Sequence, residues 1–312
     1  MSGRALIADP LGPAAERLLL DAGFEVRKES GLAGDALVAA LAGRQALLVR
    51  GQTKVTAEVL GRASGLRVIA RAGAGVDNVD TKAAAAAGVA VYNAPGANAV
   101  SVAELTWGLV LALMRHIPEA DATTRAGKWE KNRLAGLEVN GRTLGVVGLG
   151  FVGREVARLG VALGCRVLGF DPDPAAAPHL VGVERVDMER ALFEADIVSL
   201  HAPLSPATRH LLDAGRIARM RRGAFVVNAA RGGLIDEAAL AAALASGHLG
   251  GAALDVFEQE PPVGSLLFAL PNVVLTPHLG AATAEAQERA ALMAAEAVRA
   301  HLGGGTPPGR VV

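Results

Sequence analysis

Along the chain, short apolar runs rich in Val, Ile, Leu and Phe alternate with Ala/Leu-rich stretches of helical character. This rhythm predicts parallel strands joined by crossover helices, an α/β fold class. A first series of buried strands is expected at Arg4–Ala8, Phe24–Arg27, Ala46–Arg50, Arg67–Arg71 and Val89–Asn93, with helices such as Pro13–Ala22 and Thr81–Ala87 between them. The rhythm breaks at the turn-rich stretch Asn93-Ala-Pro-Gly-Ala-Asn98. There the apolar residues of Val100–His116 run on past strand length and predict a hinge followed by a long helix. A second series follows at Thr143–Val147, Arg166–Phe170, Ile197–Leu200, Ala224–Asn228, Gly250–Asp255 and Val273–Leu275. A last helix, Ala284–His301, precedes a Gly303–Pro308 tail. If that helix packs back on the first strands, the chain forms two doubly wound parallel-sheet domains. The first is discontinuous, residues 1–96 with 283–312, and residues 97–282 are inserted into it, with bounds good to about 2–4 residues. The Ala-rich tracts Ala83–Ala87 and Ala238–Ala243 are helix formers, and no repeat of solenoid period is present.

Composition narrows the classes of function. With 312 residues, 51% hydrophobic and 20% charged, the chain is long enough for two packed domains and too apolar for general disorder. Lys and Arg number 31 and so do Asp and Glu, so no global field draws in nucleic acid or an acidic membrane, and any bound anion needs a local cluster. The single cysteine, Cys165, excludes an internal disulfide framework and argues against structural zinc. It sits at the start of a strand with no adjacent base and reads as a packed thiol. His116, His179, His210, His248 and His301 lack metal-ligand spacing. Trp107, Leu111 and Met114 share one helical face suited to core or dimer packing. Asp9 and Pro10 interrupt any leader-like run at the start, and Leu105–Met114 is half the length of a bilayer span; the expectation is a soluble, cytoplasmic protein.

The strongest motif is Leu144-Gly-Val-Val-Gly148-Leu-Gly150-Phe-Val-Gly153, an apolar strand running into G-x-G-x-x-G and then a helical pattern from Arg154 to Leu163. Gly148 permits a tight turn, Gly150 lets a pyrophosphate approach the backbone, and Gly153 allows close helix–strand packing, with the helix-start amides facing the anion. Asp171 ends the next strand, where a carboxylate grips ribose hydroxyls. A 2′-phosphate about 4 Å from it would be repelled by a few kcal/mol, and Pro172, Asp173 and Pro174 bring no cation, so NAD is favoured over NADP.

Three polar residues follow later strands: Arg231 in NAARGG, Glu260 in DVFEQEPP and His278 in TPHLG. Ligands bind at that edge of open parallel sheets. Oxidation of a 2-hydroxy acid needs a group that exchanges the hydroxyl proton, a cation for the carboxylate, and a group that tunes the first, and these three supply the types. A carboxylate beside His278 would raise its pKa and couple the two titrations. Taken singly, each also suits a structural role: a turn histidine, a loop glutamate, a surface salt-bridge arginine.

Together, GLGFVG, NAARGGLIDE, AALDVFEQEPP and TPHLGAAT, in this order, resemble the D-isomer-specific 2-hydroxyacid dehydrogenases over essentially the whole chain. The resemblance implies a Rossmann-type NAD-binding domain inserted into a flavodoxin-like substrate-binding domain. It makes Arg231 the residue that binds and orients substrate, Glu260 the partner of the histidine, and His278 the acid/base. It places backbone cofactor contacts at Ala74, Phe151, Val152, Ala202, Ala229, Ala230, Asp255 and the turn from His278 through Gly280 to Ala281. The stretches Arg50-Gly-Gln-Thr-Lys, Arg71-Ala-Gly-Ala-Gly75-Val-Asp, Gly127-Lys-Trp-Glu and Leu137-Glu-Val-Asn-Gly-Arg-Thr-Leu-Gly look like the branch acting on D-3-phosphoglycerate, the first step of the phosphorylated serine route. Arg50, Arg71, Ala74 and Gly75 are then expected at the substrate. Lys131 or Arg133 is a candidate further charge, reaching across a subunit interface. The chain is expected to act on a small phosphorylated 2-hydroxy acid as a homodimer or homotetramer. A glyoxylate/hydroxypyruvate reductase, or another D-2-hydroxyacid dehydrogenase, is the alternative, and an NADH-sensing corepressor-like protein a remote one. Phe151 replaces an arginine and Ala74 a threonine common in relatives, each removing a side-chain contact. The chain ends at Val312, where longer relatives continue into regulatory domains, so serine feedback through such a domain is not expected.

Overall fold

A computed structural model of the chain describes residues 3–177 and 180–312; His179 lies outside them. The chain divides into two compact units, Met1–Asn98 with Ala281–Val312, and Ala99–Gly280.

The first unit runs β1 (Arg4–Ile7), α1 (Pro13–Asp21), β2 (Glu25–Lys28), α2 (Gly34–Leu41), β3 (Ala46–Val49), α3 (Ala57–Arg62), β4 (Val68–Arg71), α4 (Thr81–Ala86) and β5 (Ala90–Tyr92). Its strands form one parallel sheet in the order β2-β1-β3-β4-β5, the flavodoxin-like order. β1, β3 and β4 are almost wholly buried because helices cover both faces. The expectation of a buried strand near Phe24–Arg27 is corrected: β2 is the sheet's edge and three of its four residues are exposed. Three charged residues, Glu25, Arg27 and Lys28, around the single apolar Val26 suit an edge kept from pairing with another chain.

The second unit holds α5 (Ala99–Met114), α6 (Ile117–Arg125), β6 (Thr143–Val147), α7 (Phe151–Ala162), β7 (Arg166–Phe170), β8 (Val183–Arg185), α8 (Met188–Phe193), β9 (Ile197–Leu200), α9 (Ala214–Arg219), β10 (Phe225–Asn228), α10 (Glu237–Ala245), β11 (Gly251–Leu254) and β12 (Val273–Leu275). All seven strands are parallel, in the order β12-β11-β10-β9-β6-β7-β8. The order reverses between β6 and β9, which stay paired to their last residues, Val147 and Leu200, so the segments that leave them start a topological switch point, where open parallel sheets bind ligands. Asp187, Asp213 and Asp236 cap α8, α9 and α10 by accepting amides of their first turns.

α11 (Ala284–Leu302), capped by Thr283, returns to the first unit. Its alanine face packs on α1, β3 and β4, where small side chains allow close approach. The tail beyond it covers the free edge of β5: Val311 N donates to Val91 O at 2.7 Å and Asn93 N to Gly309 O at 2.9 Å. Among the described residues no single helix is long and apolar enough to cross a membrane.

Candidate active site

The dinucleotide turn is built by three glycines, two of which leave no room for a side chain. Gly148, directly after β6, has φ +96°, and a Cβ there would stand 2.5 Å from His201 O, at the end of β9. A Cβ on Gly153 would stand 1.8 Å from Gly148 O, so α7 reaches the turn only with hydrogen at this position. A Cβ on Gly150 would meet nothing within 4 Å, which leaves open space over the turn. Gly150 is also the N-cap of the twelve-residue α7, which has no side-chain cap, so the amides of its first turn are available to an anion. These residues fit a dinucleotide pyrophosphate. Phe151 is half-exposed at the helix start, with the Arg154 guanidinium 4.6 Å over its ring.

Asp171 follows β7. Its Oδ2 accepts Leu149 N at 2.7 Å and its Oδ1 accepts Asp173 N at 2.9 Å, so the carboxylate ties its own loop to the glycine turn. A cation does approach this loop. Arg185, on β8, donates to Asp173 O at 3.0 Å and to Ala176 O, a contact that a search for nearby basic residues in the sequence does not reveal.

Arg231, Glu260 and His278 follow the neighbouring strands β10, β11 and β12 in one unit. The buried Asn228 shapes the Arg231 turn: its Oδ1 accepts Ala230 N at 3.0 Å and its Nδ2 donates to Arg231 O at 2.9 Å. The Arg231 guanidinium is half-buried and donates to Ala230 O at 2.7 Å. Glu260 Oε2 lies 2.8 Å from His278 Nδ1, and its Oε1 accepts Phe257 N at 3.2 Å. The pair is about half-exposed, accessible to a ligand.

Asp255, anticipated only as a backbone contact, has a structural task. Its fully buried carboxylate accepts Thr276 Oγ1 at 2.6 Å, Leu279 N at 2.7 Å and Gly280 N at 2.8 Å, and its carbonyl accepts His278 N at 2.8 Å. These bonds hold His278 at φ +55°, a left-handed backbone that is uncommon for a non-glycine residue and costs about 1 kcal/mol or more. Ala202 follows β9 and Ala229 and Ala230 follow β10 on the same sheet edge.

His201 was missed by sequence reasoning. Its Nε2 lies 2.8 Å from Ser199 Oγ and its Nδ1 is buried without a partner. Burial pushes its pKa down to about 4.

In the first unit, Arg50 follows β3 and Arg71 ends β4, on adjacent strands. Asp9, 1% exposed, holds the Arg50 loop by accepting Arg50 N at 2.5 Å, Thr53 N at 3.0 Å and Thr53 Oγ1 at 2.6 Å. Arg71 Nε donates to Arg50 O at 2.9 Å. A Cβ on Gly73 would stand 2.1 Å from Arg71 Nη1, so the glycine loop folds directly over the guanidinium. Ala74 is exposed, and its carbonyl accepts Asn93 Nδ2 at 2.6 Å, beside Gly75. Arg133 is engaged by Glu119 at 2.6 Å and by Glu130, while Lys131 is exposed. Burial pushes the Cys165 thiol up, and its Sγ donates to Val139 O at 3.3 Å, as a packed thiol does. Among the described residues no cluster of three or more His, Cys, Asp or Glu is arranged to hold a metal.

Residues 107–280 match the model of the D-isomer specific 2-hydroxyacid dehydrogenase, NAD binding domain. The D-3-phosphoglycerate dehydrogenase of Methanocaldococcus jannaschii is 46% identical over 303 residues, covering 96% of this chain and 58% of that protein. The chain thus spans little more than half the length of that relative. Among solved structures, the TT0316 protein from Thermus thermophilus superposes with a TM-score of 0.88 at 42% identity, covering 99% of this chain and all of that one. A glyoxylate reductase from Paecilomyes thermophila gives a TM-score of 0.89 at 29% identity, covering 99% of this chain and 98% of its own.

Proposed function

The chain belongs to the D-isomer specific 2-hydroxyacid dehydrogenase family, and from that premise we propose that it oxidises D-3-phosphoglycerate to 3-phosphohydroxypyruvate with NAD. The single observation that carries this reading is the Glu260–His278 pair at 2.8 Å, on the same sheet edge as the dinucleotide turn. Its Nδ1 faces the carboxylate, which assigns the proton there and leaves Nε2 as the base for a substrate hydroxyl. Bound NAD supplies the nicotinamide carbon that accepts the hydride from C2. His278 takes the hydroxyl proton as the carbonyl forms, and Glu260 stabilises the resulting imidazolium. Arg231 pairs with the substrate carboxylate through its planar fork of donors. Arg50, on a loop fixed by Asp9, and Arg71, at the end of β4 and bonded to the Arg50 carbonyl, bring the positive charge that a phosphoryl group requires. The 46% identity to a D-3-phosphoglycerate dehydrogenase supports that substrate over an unphosphorylated acid.

A cytoplasmic homodimer or homotetramer completes the reading. The apolar residues Val100, Ile117 and Trp129, exposed on one chain, support association with a second copy.

The test pairs two variants. His278→Ala should abolish turnover and leave NADH binding nearly intact; retained turnover refutes the acid/base role. Arg50→Ala should harm D-3-phosphoglycerate far more than D-glycerate. Equal losses would instead favour a glyoxylate or hydroxypyruvate reductase, the first of these being the activity named for the Paecilomyes neighbour.

A further inference from the structure

The loops that carry Arg231 and Glu260 are fastened to each other by a reciprocal pair of bonds that the chemistry above does not use. Glu237, the first residue of α10, donates its backbone N–H to Glu258 Oε1 at 3.0 Å, and Glu258 donates its own N–H to Glu237 Oε1 at 2.6 Å. Each carboxylate thus satisfies the other residue's amide, across 21 positions of sequence. One of those amides is at the start of a helix, where a carboxylate is also favoured by the helix dipole. The backbones meet just beside this clasp. A Cβ on Gly232 would stand 1.9 Å from the Phe257 carbonyl group, so the Arg231 loop and the Glu258 loop touch with no side chain between them.

The clasp leads directly to the acid/base pair. Phe257 N, one residue before Glu258, donates to Glu260 Oε1, and Glu260 Oε2 meets His278. A third segment closes the arrangement: His210 Nε2 lies 3.2 Å from Glu258 Oε2, and His210 N donates to Gly233 O at 2.8 Å. Neither an exposed ion pair nor a simple helix cap requires this double reciprocity. Burial, with the nearby Glu258 charge, holds the Glu237 carboxyl above its ordinary range. The task of Glu237 therefore calls for an acceptor oxygen more than for a negative charge.

We propose that Glu237 and Glu258 are positioning residues, a clasp that fixes the Glu260 loop to the Arg231 segment so that Glu260 holds the His278 ring in one orientation. The proposal rests on the hydride-transfer reading given above for its kinetic consequence, but its structural consequence is readable without substrate.

Four variants of the full chain test it: Glu237→Ala, Glu258→Ala, Glu258→Asp and Glu237→Gln. Because a ring or carboxylate displaced by a fraction of an ångström loses rate steeply, both Ala variants should lower kcat about tenfold, with NADH binding by fluorescence changed less than about twofold. Glu258→Asp, which keeps the charge but is one methylene too short to reach the helix amide, should lose as much. It serves in place of Glu258→Ala should that variant fail to fold. Glu237→Gln keeps the acceptor oxygen and should stay within about twofold of the parent. In the 15N spectrum of the neutral imidazole, His278 should be the Nδ1-protonated tautomer in the parent and in Glu237→Gln. It should be a mixture in the Ala and Asp variants. Unchanged kcat and an unchanged His278 spectrum in the Ala and Asp variants would overturn the proposal, and so would a loss in Glu237→Gln equal to that in Glu237→Ala. A parent chain inactive on every D-2-hydroxy acid would refute the reaction, while the tautomer spectra would still decide the clasp.

Discussion

Acid should weaken the second unit through one side chain, His201. Its Nδ1 is buried with no partner, its Nε2 meets only the Ser199 hydroxyl, and its pKa is pushed from 6.5 to about 4. Between these two values the unfolded chain binds the proton and the folded chain does not. The stabilisation from keeping the ring neutral is therefore complete above pH 6.5, falls as the pH drops, and is gone once the pH has passed through about 4. At about 1.4 kcal/mol per pH unit, the interval sets an upper bound of about 3.5 kcal/mol, of which about 3 is lost by pH 4, where the folded ring is half protonated. His201→Gln keeps an amide for Ser199 and removes the titration. Both tryptophans, Trp107 and Trp129, lie in the second unit, and Trp107 is buried. Urea unfolding followed by tryptophan fluorescence thus reports the unit that holds His201. From pH 7.5 to pH 4 the parent should lose about 3 kcal/mol more than His201→Gln, with the difference between the two curves opening below pH 6.5. Parallel curves over that range would refute the reasoning, because they would mean that the ring binds its proton equally well folded and unfolded.

Further substitutions have defined outcomes. Gly153→Ala places a methyl 1.8 Å from Gly148 O and should destabilise the unit by about 3 kcal/mol and remove NADH binding, read by thermal unfolding and fluorescence titration. Asp171→Ala removes the carboxylate that opposes a 2′-phosphate. The ratio of kcat/KM for NADP to that for NAD should rise at least about tenfold, and an unchanged ratio would show that Asp171 does not set the choice. Asp255→Ala frees Leu279 N, Gly280 N and Thr276 Oγ1, and should cost about 3 kcal/mol of stability together with most of kcat; full activity would mean that the His278 loop holds its own shape.

What could be read from the sequence was what is local in it. The glycine turn, its strand and its helix occupy consecutive residues, and buried parallel strands such as Ala46–Val49 are uninterrupted apolar runs. Edges were harder to read. β2 holds a single apolar residue, Val26, and β8, Val-Glu-Arg, has no apolar run at all, since an edge strand has only one neighbour and needs little burial. The pairing of the tail with β5 depends on a contact across more than two hundred residues, which no window of sequence contains. The site divided the same way. Arg231, Glu260 and His278 carry recognisable motifs. By contrast, the Asp255 anchor, the Glu237–Glu258 clasp, the Arg185 approach to the Asp171 loop and the orphaned nitrogen of His201 arise only when separate strands end side by side.

The central claim is most directly tested by the initial rate of NADH formation with D-3-phosphoglycerate, D-glycerate and D-lactate at alkaline pH, each with NAD and with NADP. The account predicts a strong preference for the phosphorylated acid with NAD, and a loss of that preference in Arg50→Ala. Faster oxidation of an unphosphorylated acid would contradict it, leaving the hydride chemistry of Arg231, Glu260 and His278 in place and removing Arg50 and Arg71 from the phosphate.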